Sequence, residues 1–157
     1  MKNFYALNAG EFFVAQEILK HRKDLQLYFP LKDVGVDLLA IKPSSPRPTS
    51  IQVKESRTYE GRVSSQGFSW HQLRDCKLKD ADVFVFISYI PVIKGSRTAF
   101  DMDFVVIPNK DLVALCEKKK AGRGKYSFYF AREEGRLFDL RDGRLDVSTY
   151  HRAWNLI

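Results

Sequence analysis

The hydrophobic positions near the start of the chain recur with helical spacing. Phe12, Ala15 and Leu19 follow one another at three to four residues, as do Val14 and Ile18. Asn8 and Glu11 stand at the offset of a capping box, so the pattern predicts a helix that opens there and runs to about Arg22. The period then changes. Leu25–Phe29 reads as a strand ended by Pro30, and Val34–Ile41 as a second strand, apolar on both sides of Asp37. The proline- and serine-rich segment 43–50 predicts a hairpin loop, after which Ile51–Ser56 returns as a third strand.

Arg57–Phe68 is polar and punctuated by glycine, which predicts a loop or an irregular hairpin. Ser69 and Gln72 repeat the capping-box offset and predict a helix to about Lys79. Asp82–Ile90 carries the continuous run Val83-Phe84-Val85-Phe86-Ile87, the signature of a central strand covered on both faces. Phe100–Ile107 predicts another strand, and Pro108-Asn109-Lys110-Asp111 leads into a helix ending near Lys119. Lys118–Lys125 reads as a basic turn, Tyr126–Ala131 as a strand, and Ser148 as the cap of a short terminal helix carrying Tyr150, Trp154 and Leu156. The predicted order, α-β-β-β-α-β-β-α-β-α, points to an α/β sandwich around a mixed sheet.

Composition adds bounds. A length of 157 residues fits one domain with a self-sufficient core. Cys76 and Cys116 form no CxxC pair, and His21, His71 and His151 lack metal-ligand spacing, which argues for reduced thiols in a cytoplasmic protein and against zinc; the longest apolar runs, such as Val83–Ile87, fall far short of the ~20 residues a membrane span needs. Twenty-six basic residues against 19 acidic ones give a formal charge of +7, which favours a polyanionic partner.

Candidate chemistry sits on the second and third strands. Side chains alternate along a strand, so Gln52 and Lys54 share a face opposite Ile51 and Val53. Polar groups on an otherwise buried strand are costly unless they pair or work. If the two strands are hairpin neighbours, Asp37 lies beside Gln52 and Lys54. Mg²⁺ takes hard oxygen ligands: Asp37, the Gln52 side-chain carbonyl, the Val53 backbone carbonyl and, through water, Glu11 are the candidates, with Mn²⁺ as an alternative cation. Lys54 is placed to orient a water or to stabilise charge on a phosphate. Each residue also has a plainer reading: Glu11 as its cap's reciprocal acid, Asp37 as a turn acid, Gln52 and Lys54 as the exposed face of an edge strand.

Glu11, Asp37 and Gln52-Val53-Lys54, in that order and on those elements, resemble the PD-(D/E)XK nuclease superfamily, notably the archaeal Holliday-junction resolvases and a Gln-x-Lys intron-encoded homing endonuclease family. The resemblance spans about the first ninety residues, from Ala9 through Val83–Ile87, leaving 91–157 as an elaboration of a single domain. It implies a restriction-endonuclease-like α/β core, a mixed β-sheet flanked by helices, with Mg²⁺-dependent phosphodiester hydrolysis in DNA and Glu11, Asp37, Gln52 and Lys54 as the catalytic set. A neutral Gln52 where an acid is usual leaves a second function open, a nuclease fold that binds DNA without cutting it. A structural protein whose charge serves solubility is a third. A homodimer would suit an enzyme that cuts both strands.

Several basic residues outline a DNA footprint: Arg57 and Arg62 after the third strand, Arg74 and Lys77 on the predicted helix, and Lys118, Lys119, Lys120 and Arg123 in the basic turn. A solvated helix end explains the last group equally well. Trp70 and Trp154 read as packing residues rather than base-stacking platforms, and His71, near the site, as an ordinary surface histidine rather than a proton shuttle.

Overall fold

The computed structural model describes residues 8–31, 35–61, 64–74, 78, 80–119, 122 and 124–157. Helix α1 (Ala9–His21) has the predicted capping box, with the Asn8 side chain and Glu11 closing it reciprocally. Strands β1 (Gln26–Tyr28), β2 (Leu38–Ile41) and β3 (Thr49–Gly61) follow as an antiparallel run. Seven consecutive residues of β3, Ile51 to Arg57, pair in parallel with Val83 to Tyr89 of β5 (Val83–Lys94). β5 in turn pairs antiparallel with β6 (Arg97–Pro108) along its whole length. The first sheet therefore has the order β1-β2-β3-β5-β6 and is mixed, as expected.

Beyond Arg57, β3 changes partner. Its far end pairs with β4 (Ser64–Arg74), with a register shift between Tyr59 and Gly61. β4 pairs with β7 (Lys125–Glu133), which leads to β8 (Arg136–Asp139) and β9 (Leu145–Asp146). This second sheet stacks on the face of the first that α1 leaves open. Helix α2 (Asn109–Glu117) closes one end through Leu112 and Leu115, and two 3₁₀ turns, Ser148–Tyr150 and Trp154–Leu156, finish the chain.

The layering follows from β5. Its odd positions Val83, Val85 and Ile87 enter the core under α1, with Val14, Ile18, Leu38 and Ile51. Its even positions Phe84 and Phe86 enter the core between the sheets, with Leu73, Phe128 and Phe130. One strand serves two cores, which is why its apolar run is unbroken.

The structure departs from the expectations in places. The segment after Ser69 is strand, not helix, through Arg74: Ser69, His71 and Leu73 are buried while Trp70, Gln72 and Arg74 are exposed, a period of two. The expected continuation toward Lys79 falls largely outside the described residues. The described residues of 57–68 belong to the β3–β4 hairpin, whose register shift between Tyr59 and Gly61 makes it the irregular hairpin of the two readings, and the short strands β8 and β9 have no counterpart in the sequence reading. The ladder of β2 also starts at Leu38 rather than Val34.

Phe86 is fully buried and ringed by His71, Phe128 and Phe130 at centroid distances of 5.2–5.7 Å. Phe86→Ala is expected to cost about 3–5 kcal/mol. Urea unfolding followed by circular dichroism checks this: the midpoint should drop within one cooperative transition, because β5 belongs to both cores.

Candidate functional site

The site is built where β2 leaves β3. Gly35 turns the chain at φ +87°, a left-handed conformation, and a Cβ there would lie 2.8 Å from a carboxylate oxygen of Asp80. The turn delivers Asp37 to the edge of β3. Its backbone N–H donates to the Ile51 carbonyl at 2.9 Å, and its Oδ2 accepts the Val53 N–H at 2.7 Å. The carboxylate thus replaces the strand carbonyl that β2 would otherwise offer, in a charge-assisted bond. Within a strand a residue's N–H and C=O project to the same side, so the Val53 carbonyl faces the edge where Asp37 sits.

Glu11 lies over this edge from α1 and is 8% exposed. Its carboxylate accepts the Asn8 N–H at 3.3 Å and the Asn8 side-chain amide at 3.1 Å. Its pKa is nonetheless raised: burial contributes most, the charge of Asp37 next and that of Glu55 less, against the lowering effect of the two Asn8 bonds. The capping role of Glu11 is thus observed, and the same side chain lies close enough to Asp37 to feel its charge.

Glu55 is the residue that sequence reasoning missed. It accepts the Gly10 N–H at 3.2 Å and the Tyr89 hydroxyl at 2.8 Å. Burial, and then the bond and charge of Glu55, hold the Tyr89 hydroxyl well above its ordinary pKa. Gly10 makes the approach of strand and helix possible, since a Cβ there would stand 2.3 Å from the Glu55 carboxyl carbon. Position 55 shares the face of Ile51 and Val53, so the alternation of β3 carried the signal. Glu11, Asp37 and Glu55 form an acidic group around the N-terminus of α1, whose dipole offsets part of their repulsion.

Gln52 and Lys54 lie on the other face of β3, opposite positions 84 and 86 of β5. Gln52 is 5% exposed, and its Oε1 has no hydrogen-bond partner among the described residues. Lys54 is half-buried. Asp37 sits at the strand edge just past the Leu38–Ile51 pair, bonded to the backbones of Ile51 and Val53 on either side of Gln52. Among the described residues no group of three or more His, Cys, Asp and Glu is arranged to hold a metal ion. A cation here would have to draw on the Gln52 amide oxygen and the Val53 carbonyl as well as carboxylates.

The basic footprint divides. Arg57 lines an open cleft with Glu55, Tyr59 and Trp70, and Arg74 and Lys118 are exposed. Lys119 requires correction: its ammonium is 4% exposed, lies 2.5 Å from Asp139 and 3.5 Å from Asp142, and sits over the Phe128 ring. That charge is neutralised internally, as a buried cation must be. Arg62, Lys77, Lys120 and Arg123 lie outside the described residues. Trp154 is a core residue at 3% exposure, but Trp70 is 42% exposed and stands on the outer face of β4. His71 is not at the surface. It is buried between Phe86 and Phe130, near Ser88 Oγ, and burial pushes its pKa down to about 3, so it stays neutral and shuttles no protons.

No protein-family model matches the chain, and no curated protein matches it in sequence. Among solved structures, the bacterial homing endonuclease I-Ssp6803I is similar over 94% of this chain and 87% of its own, at 17% identity and a TM-score of 0.49. Among the described residues no helix is long and apolar enough to cross a membrane.

The raised pKa of Glu11 fixes a pH dependence. As pH climbs from the ordinary value of 4.5 through the higher folded value, the folded state holds its proton longer, so ionising Glu11 costs stability. Glu11→Gln keeps an oxygen to accept the Asn8 N–H but removes the charge. In EDTA the variant should melt above the parent at pH 8, with the gap closing by pH 4. Scanning calorimetry at both pH values checks this, and a variant less stable at pH 8 would show that the cap outweighs the repulsion.

Proposed function

We propose that the chain is a Mg²⁺-dependent DNA endonuclease whose site comprises Glu11, Asp37, Gln52, Val53 and Lys54. The observation that carries the reading is the Gln52 side-chain oxygen, buried without a hydrogen-bond partner among the described residues, on a strand whose edge also bears Asp37. An unsatisfied buried acceptor costs about 1–3 kcal/mol, and a cation is one partner that would repay it. The donor set fits a hard cation: a carboxylate from Asp37, neutral oxygens from Gln52 and Val53, and Glu11 near enough to feel the charge of Asp37. When bound, such a cation supplies charge neutralisation at a phosphate and a more acidic water.

The chain's own groups do the remainder. The bond from Val53 fixes one Asp37 oxygen and orients the other. Glu11, a stronger base than an ordinary carboxylate because of burial and Asp37, is suited to accept a proton from an attacking water. Lys54, on the same face of β3 as Gln52, is suited to stabilise charge on the phosphoryl oxygens. A net charge of +7 draws the polyanion, and exposed Arg57 and Arg74 extend the attraction along β3 and β4. The reading of a DNA-binding module without catalysis draws on one observation, the neutral Gln52 in place of a third anionic ligand.

Supercoiled plasmid incubated with the chain and Mg²⁺ should be nicked or linearised, and EDTA should abolish the reaction. Asp37→Asn, which keeps an acceptor for the Val53 N–H, should remove cleavage without unfolding the chain. Lys54→Ala should slow it by roughly 10²–10³-fold. Cleavage that persists in both variants, or that EDTA does not touch, would contradict the proposal. Salt-sensitive DNA binding without turnover would favour the binding module.

A further inference from the structure

The outer face of the second sheet carries rings that no core requires. Tyr59 on β3 and Trp70 on β4 are 43% and 42% exposed. They lie 6.4 Å apart between centroids, and Phe68 and Tyr129 extend the group: Tyr59 to Phe68 is 6.0 Å, Phe68 to Tyr129 4.7 Å, and Trp70 to Tyr129 6.1 Å. The platform is anchored rather than loose. The Ser56 hydroxyl donates to the Trp70 carbonyl, and Thr58 and Ser69 meet at 3.3 Å on the inner side. A contiguous group of aromatic rings left partly in water marks a surface kept for contact.

The platform is continuous with the acidic edge. β3 runs through both sheets, and α1 covers only its first part. Past Gly10 the same face holds a cleft of about 560 Å³ lined by Glu55, Arg57, Tyr59, Trp70, Gln72 and Tyr89, within the range of small-ligand sites. Glu55 is common to both: it bonds Gly10 at the helix and also forms part of the cleft wall.

We infer that this cleft and its aromatic platform bind unpaired DNA bases by stacking, so that the substrate is DNA with a single-stranded stretch rather than an uninterrupted duplex. The inference rests on the endonuclease reading for the site next door and names its substrate class. A paired duplex presents base edges and phosphates but hides base faces, whereas unpaired bases stack on exposed Trp and Tyr. Charge selects the occupant. Arg57 lies in the cleft, Arg74 is exposed further along β4, and the Arg141 guanidinium sits 5.3 Å over Tyr129. A strand of DNA brings the phosphates such a rim attracts, while a second copy of this chain would bring the same positive rim against it. Gln72, with an amide donor and acceptor, is placed to read a base edge.

The test uses the whole chain in EDTA, so that binding is read without turnover, with a fluorescein-labelled 20-nucleotide oligodeoxythymidylate and a blunt 20-base-pair duplex as probes. Stacking predicts that the single strand quenches tryptophan emission in the unmodified chain, a signal assigned to Trp70 because Trp154 is buried. By fluorescence anisotropy, Trp70→Ala should weaken single-strand binding roughly tenfold or more, and Trp70→Phe should restore most of it. Duplex binding should change little in either variant. Trp70→Ala binding the single strand like the parent, losing both probes equally, or leaving no quenching to lose would overturn the inference. So would sedimentation showing a dimer that Trp70→Ala dissolves, since the occupant would then be a second copy. Stacking without any cleavage elsewhere would fell only the endonuclease reading; cleavage indifferent to Trp70 would fell only this one.

Discussion

A backbone amide at a strand edge needs an acceptor, and where β2 turns away from β3 the Val53 N–H would have none from the sheet. Asp37 fills that gap at 2.7 Å, held by its own amide on the Ile51 carbonyl. Everything proposed for the site descends from this bond. It sets a carboxylate in the plane of the sheet, between the face that α1 covers and the face where Gln52 and Lys54 point. Had β2 continued in register, the edge would be closed by ladder bonds and no carboxylate would be needed there.

Most of the charged groups near that edge hold the fold together as well as shaping the site. Glu11 closes a capping box, Glu55 ties strand to helix and to Tyr89, and Asp37 finishes a ladder. Structure and chemistry are not competing accounts here. These bonds hold the carboxylates in place, and burial, with the charge of Asp37 next, raises the pKa of Glu11. Gln52 is the exception, since its buried oxygen serves no fold contact among the described residues.

What the sequence revealed and what it hid separates by range. The α1 capping box is a local pattern three residues long, and the Val83–Ile87 run is a burial pattern that needs no partner to be read; both appear as expected. β4 was hidden because His71 occupies an inward position among Phe86 and Phe130, where a polar letter breaks the alternation, while Ser69 and Gln72 mimic a cap. Lys119 was hidden because its partners Asp139 and Asp142 come some twenty residues later, across a sheet that no local pattern announces. Trp70 reads as a packing residue by type, yet the strand period places it on the outer face. At the site, Asp37 beside the Gln52-Val53-Lys54 strand was legible once a hairpin was assumed. Glu55 was not, because Lys54 before it drew the polar reading to the opposite face.

Anomalous diffraction from crystals soaked in Mn²⁺ tests whether the β2–β3 edge holds a cation. One anomalous peak is expected there, within ligand distance of an Asp37 oxygen and Gln52 Oε1, with the Val53 carbonyl as a further protein ligand. A peak elsewhere, with Gln52 Oε1 hydrogen-bonded to the protein and Asp37 bound only to the Val53 amide, would contradict the proposal.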